Sequence, residues 1–342
     1  MNSIFLDTLN NKLTCRPPVW FMRQAGRILP SYLKLKKQYS FSEMMQSPEL
    51  AAKVTLLPID DLGVDAAILF SDILIVPEAL GMGLEFTDKG PLFDNPLTKY
   101  ESPASHLVKD TKILEHVYEN IEKVIETRPK NIPLIGFCGG PLTTFCFMFR
   151  GHVRDVTFHD AIKFLYSNPQ ESMKILEALT EVSIEYVRNQ AKHGIECFQL
   201  FETYSGLIPE QMYIEKILPL SKKILNEARN YGLPTIFFPK GLGNGLSYIT
   251  KDVCDFLSVD WQTNLMHARK IISRDIGIQG NIDPRILYSS YNDIEVYLSS
   301  LKSFGEKNNN WIINLGHGFL PDIDYKKAKF VVEWIKETNW KR

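Results

Sequence analysis

The chain has 342 residues, 44% of them apolar and 23% charged, which is enough apolar material for a substantial core and excludes a disordered or collagen-like polymer. Thirty-nine basic residues nearly cancel forty acidic ones, so no global field draws the protein to nucleic acid or to an anionic membrane; an anionic ligand must be held by a local cluster of cations. Five scattered cysteines, Cys15, Cys138, Cys146, Cys197 and Cys254, argue against a disulfide framework and for a reducing compartment.

The opening MNSIFLDTLN has neither a basic region followed by an apolar stretch nor the Arg/Ser bias of a transit peptide, and reads as untargeted. Asp72, Pro77 and Glu78 interrupt the longest apolar run, so none of the runs approaches a bilayer span. The expectation is a cytoplasmic protein.

The first apolar run, VWFM (19–22), leads into Arg23 and Arg27. A helix is predicted over 48–62, with Ser47 as N-cap and Pro48 at the first helical position. AAILF (66–70) leads into Ser71 and Asp72, and GLEFTDKGPLF (83–93) has strand-like residues on both sides of a polar turn, predicting a hairpin. A helix over 110–127 precedes the run PLIGFC (133–138). Asn168-Pro169 repeats the cap-proline arrangement at the start of a helix over 168–193, with Glu171 in its first turn and Gly194 placed to end it. CFQLF (197–201) runs into Glu202 and Thr203, and a helix is predicted over 209–230.

The pattern continues with TIFFPK (235–240), ending at Lys240, and FLSVD (256–260), ending at Asp260. Helix 263–273 precedes GIQGNI (277–282), which supplies Asn281 with Asp283 beyond it. Helix 292–304, the run WIINLG (311–316), then His317 and a helix over 324–337 complete the series. Eight short runs alternating with helical segments predict an α/β chain with a parallel sheet, read as a single (β/α)8 TIM barrel over 1–342 with a short N-terminal extension. An open doubly wound sheet produces the same alternation.

In a barrel the active site lies at the C-terminal ends of the strands. Asp72, set between apolar runs, is either the N-cap of a helix beginning near Ile73 or an acceptor for several ligand N–H groups. Arg23 and Arg27 are either a carboxylate clamp or members of structural ion pairs. His317, between two glycines, is an acid, a base, an anion partner or a structural residue. CxxC and HExxH spacings are absent, His193 and Cys197 read as structural, and GLGNG (241–245) is not a Walker A loop, so neither a metal nor a nucleotide is called for.

PPVWFMRQAGR (17–27), FSDIL (70–74), QGNIDP (279–284) and NLGHGFLPD (314–322) together resemble the motif segments of the uroporphyrinogen decarboxylase family, in order and over most of the chain. The resemblance implies a (β/α)8 barrel, commonly a homodimer, that removes CO2 from the acetate side chains of uroporphyrinogen to give coproporphyrinogen in heme biosynthesis, without metal or organic cofactor. It also implies that Asp72 hydrogen-bonds the pyrrole N–H groups, that Arg23 and Arg27 lie near the substrate carboxylates, and that Thr203 and His317 match family positions in the site. On this reading Arg23, Arg27, Lys240 and His317 supply positive potential to the mouth.

One departure stands out: FCFMFRG (145–151) places Phe147 where the family usually has tyrosine and Arg150 where it has glutamate. Phe147 retains a ring to pack on a pyrrole face and loses the phenol. Two other readings compete. A corrinoid- or thiol-dependent methyltransferase requires a zinc site of His and Cys; a tetrapyrrole carrier keeps the arginines and Asp72 without catalysis.

Overall fold

Seven of the eight apolar runs become strands of one parallel sheet in the computed structural model, which describes residues 3–87, 90–150 and 157–342. The strands in chain order are β1 (Ala67–Ile68), β2 (Leu84–Thr87), β3 (Gly90–Phe93), β4 (Leu134–Gly139), β5 (Cys197–Glu202), β6 (Thr235–Pro239), β7 (Phe256–Ser258), β8 (Gly277–Gln279) and β9 (Trp311–Ile312). The main sheet runs β1-β4-β5-β6-β7-β8-β9, and β2 and β3 form the expected antiparallel hairpin, whose turn residues 88–89 lie outside the described set. Helices cover the sheet, which is why its strands are near-continuous apolar runs with no polar alternation.

The eighth run does not form a regular strand. Val19 makes a single parallel bridge to Ile313, while Ile313 N–H donates to the Pro18 carbonyl at 2.9 Å. On its other side, the Val19 carbonyl accepts from Asp65 N–H at 2.8 Å, just before β1. Pro17 and Pro18 have no N–H to offer a ladder, and beyond Met22 the chain turns into the Arg23 loop, so pairing stops after one bridge. Segment 17–22 thus hydrogen-bonds to residues adjoining both outer strands, β9 and β1, while the seven-stranded sheet itself stays an open, curled half-barrel.

Two side-chain groups fix that segment. Arg16 donates through both terminal nitrogens to the Asp65 carboxylate at 2.7 Å each, and Asp65 Oδ2 also accepts from Val19 N–H at 2.8 Å. Inside the curl, Trp20 Nε1 donates to Gln279 Oε1 at 2.9 Å, and Gln279 Nε2 donates to Gln199 at 3.1 Å and Ser258 at 3.0 Å. These groups are buried, and the amide of Gln279 links residues from β5, β7 and β8.

The long helices follow their sequence signals. Pro48–Leu62 starts at Ser47, whose hydroxyl accepts from Leu50 N–H, and stops at Gly63 with φ 78°. Pro169–Lys192 occupies the predicted span, but the Asn168 side chain bonds Ser167 rather than capping the helix. The 209–230 segment is interrupted by a π turn at Tyr213–Ile217. Five described helices of six residues or more were not anticipated: Pro141–Met148, His159–Ser167, Ile4–Leu9, Pro30–Lys36 and Phe41–Gln46. The first buries nearly every side chain and has no polar stripe to betray a helical period.

Candidate active site

The C-terminal ends of the strands carry the predicted polar residues, with Arg23 and Arg27 contributed by the loop after segment 19–22. Arg23 and Arg27 both have left-handed backbone, with φ 61° and 23°, so they lie on an irregular loop and not on one helical face. Arg23 is accessible to solvent yet crowded by protein on most sides, as a group in a concave mouth is. That crowding, together with the neighbouring Arg27 charge, lowers its pKa to about 10. Burial also pulls Arg27 down.

Asp72 departs from the simple cap reading. Its Oδ1 accepts from Leu74 N–H at 2.8 Å in an Asx turn, and the helix Ile75–Glu78 that follows has Leu74 as its N-cap. Crowding pushes the Asp72 carboxyl up, opposed by the Leu74 N–H and by the charge of Arg23. Glu78, which sequence reasoning passed over, is pushed up to about 7 by burial and by Asp72. Its only sequence signal was an acid inside an apolar helix.

His317 follows β9 and stacks on Trp261, with ring centroids 6.0 Å apart and planes at 12°. Burial, then Arg23, Lys240 and Arg27, lower its pKa to about 3. Against the expectation that His317 adds positive potential, burial first and then the three cations around it disfavour the imidazolium. Its flanking glycines serve close packing, since a Cβ on Gly316 would collide with the Trp261 backbone and one on Gly318 with the stem of Arg23. The NMR resonances of the His317 ring are expected to stay flat between about pH 8 and 5, whereas an ordinary histidine would titrate there. The unfolded chain takes up this proton near 6.5 and the folded site holds out to about 3. The group thus costs nothing above that window and destabilises progressively as pH falls through it.

Lys240, at the end of β6, lies over Trp261 with Nζ 5.3 Å from the ring centroid; Arg285 approaches the same indole at 5.5 Å. Trp261 thus joins Lys240, Arg285 and His317 in one cluster, although nothing in the sequence singled it out beyond its place after β7. Asp260, Asn281 and Asp283, all predicted at strand ends, are occupied structurally. Asp260 accepts from Gly241 and Gln262 N–H, Asn281 donates to the Asp260 and Thr263 carbonyls, and Asp283 pairs with Arg285.

The end of β5 carries a second group of residues. Glu202 is buried and accepts from Leu142 N–H at 3.2 Å, Thr143 N–H at 2.7 Å and the Thr143 hydroxyl. It caps the helix Pro141–Met148, and burial pushes it up to about 7 in spite of those donors. That helix presents the half-buried Phe147, which meets Tyr204 edge-on at 5.9 Å and Phe158 at 5.2 Å, with Arg150 5.0 Å above its ring. Thr203 is half-buried directly after β5.

Among the described residues no group of three or more His, Cys, Asp or Glu is placed to hold a metal. Cys138, Cys146, Cys197 and Cys254 are buried separately, and burial raises each thiol. The zinc site required by the methyltransferase reading has no counterpart in these residues. No helix in the described residues is long and apolar enough to cross a membrane.

The curled parallel sheet, with Arg23, Arg27, Lys240 and His317 gathered near the C-terminal ends of its strands, is an α/β fold of the barrel type. The uroporphyrinogen decarboxylase family model matches residues 1–338, and the chain belongs to this family and is a carboxy-lyase. It is 36% identical over 340 residues to the uroporphyrinogen decarboxylase of Trichlorobacter lovleyi, covering 99% of each chain. It is 37% identical over 339 residues to that of Christiangramia forsetii, covering 98% of each. A methyltransferase from Methanosarcina mazei has a similar structure, with TM-score 0.78 and 18% identity over 98% of this chain and 99% of that one. A B12-independent methionine synthase from Shewanella follows at TM-score 0.60, with 9% identity over 95% and 98%. At these identities the two structures speak to fold alone.

Proposed function

We propose that the protein removes CO2 from the four acetate side chains of uroporphyrinogen III, yielding coproporphyrinogen III, in a mouth at one end of a closed (β/α)8 barrel with segment 19–22 in the eighth position. The observation that carries the substrate is the charge pattern. Arg23, Arg27 and Lys240 converge on a neutral His317, and among the described residues none of the three has a carboxylate within salt-bridge distance. Unpaired cations of this kind suit a ligand that brings several carboxylates of its own.

Decarboxylation requires somewhere for the electrons of the breaking C–C bond to go. A pyrrole carbon that has taken up a proton draws that electron pair into the ring as CO2 leaves. Protonation of the resulting exocyclic carbon gives the methyl group, and loss of the ring-carbon proton restores the pyrrole. The net change per acetate is one proton taken up and one CO2 released. Asp72, with one oxygen committed to Leu74, faces the pyrrole N–H groups with the rest of its carboxylate and stabilises the positive charge on the ring. Arg23 holds the reacting carboxylate, Arg27 and neutral His317 bind further substrate groups, Phe147 packs on a pyrrole face and Thr203 offers a hydroxyl. The protein is proposed to be one domain that works as a cytoplasmic homodimer.

Purified protein incubated anaerobically with uroporphyrinogen, then oxidised and analysed by mass, is expected to show stepwise loss of four CO2. Binding without loss would establish a carrier, and neither binding nor loss would overturn the assignment.

A further inference from the structure

We propose that Tyr204 is a substrate-contacting residue of this mouth, its phenol supplying a hydrogen bond to a substrate carboxylate beside Arg23; the proposal rests on the decarboxylase reading above. Tyr204 is held from three directions. Its backbone N–H donates to the Thr143 hydroxyl at 3.2 Å, the same hydroxyl that donates to buried Glu202. Its ring meets Phe158 edge-on at 4.6 Å and Phe147 at 5.9 Å.

The polar tip of this fixed ring is left over. Among the described residues no hydrogen-bond partner reaches the hydroxyl, although the residue is half-buried and feels the charges of both Arg23 and Arg150. A half-buried phenol with a rigid ring, within the influence of the Arg23 and Arg150 charges and lacking an acceptor among the described residues, is arranged to donate to an anion brought in from outside. Tyr204 thus offers the hydroxyl that the neighbouring ring of Phe147 cannot. Burial keeps the phenol protonated, and so a donor, through the neutral range.

The test compares the full-length protein with Tyr204→Phe and with the exchange variant Tyr204→Phe/Phe147→Tyr. Tyr204→Phe is expected to keep the melting temperature, to raise KM for uroporphyrinogen about tenfold with a smaller change in kcat, and to weaken fluorescence-detected binding of oxidised uroporphyrin to a similar degree. The exchange variant is expected to recover most of the loss, since it returns a phenol to the same wall. Unchanged KM and binding in Tyr204→Phe overturn the proposal, as does a loss accompanied by a matching fall in melting temperature and no recovery in the exchange variant. A wild-type protein that neither binds nor decarboxylates overturns the functional reading itself, a result seen before any variant is made.

Discussion

Replacing Asp72 with asparagine is expected to lower kcat for decarboxylation by about 10²–10³-fold, the range found when one preorganised electrostatic group is removed from an enzyme site. Asparagine preserves the oxygen that accepts from Leu74 N–H, so the Asx turn and the melting temperature should change little. What disappears is the negative charge. The acid limb of the wild-type pH profile should also reflect this carboxyl, which crowding pushes above its ordinary range; activity falls as the group is protonated at low pH. Residual activity of Asp72→Asn should lose that limb. Steady-state rates across the acid range check both points, and unchanged turnover would remove Asp72 from the chemistry.

The largest effect on stability is expected from Asp65→Ala, far from the reacting groups. Asp65 receives two bonds from Arg16 and one from Val19 N–H, and the two side chains are only 15% and 8% exposed. Its removal strands a guanidinium in poorly solvated surroundings and frees segment 17–22, a combination that costs about 3–5 kcal/mol. A urea denaturation midpoint measures it. Arg16→Met/Asp65→Leu, which removes both charges and fills part of their volume, should be less destabilised than Asp65→Ala, because an unpaired buried charge is worse than no charge. An equal loss in both variants would mean that the pair contributes through packing alone.

How far the sequence revealed this architecture depended on the kind of signal each element carried. The start of Pro48–Leu62 was legible because Ser47 and Pro48 each have a local mechanism for starting a helix. The 19–22 run was apolar enough to suggest a strand, but its pairing is decided by Pro17, Pro18 and the loop beyond Met22, and it remains a bridge. Pro141–Met148 was invisible because a helix buried all round has no periodicity to read.

The candidate site divided along the same line. Asp72, Arg23 and His317 stood out as polar residues at the ends of apolar runs. The charge state of His317 did not, since it is set by Arg23, Lys240 and Arg27 arriving from different parts of the chain. Trp261, Tyr204 and Glu78 were missed because each looks ordinary where it stands, and only the fold supplies its neighbours.

The left-handed backbone at Arg23 and Arg27 has a consequence for anyone engineering this chain. Each such residue costs about 1–2 kcal/mol relative to a relaxed conformation, a cost that glycine largely avoids. A campaign that ranked variants by thermal robustness would therefore favour glycine at both positions and return a sturdier protein stripped of the two guanidiniums proposed to hold substrate carboxylates. Drift without selection for the mouth would run the same way. Two arginines in conformations that folding alone disfavours are thus held at a cost in stability, which the proposed carboxylate-binding role would account for.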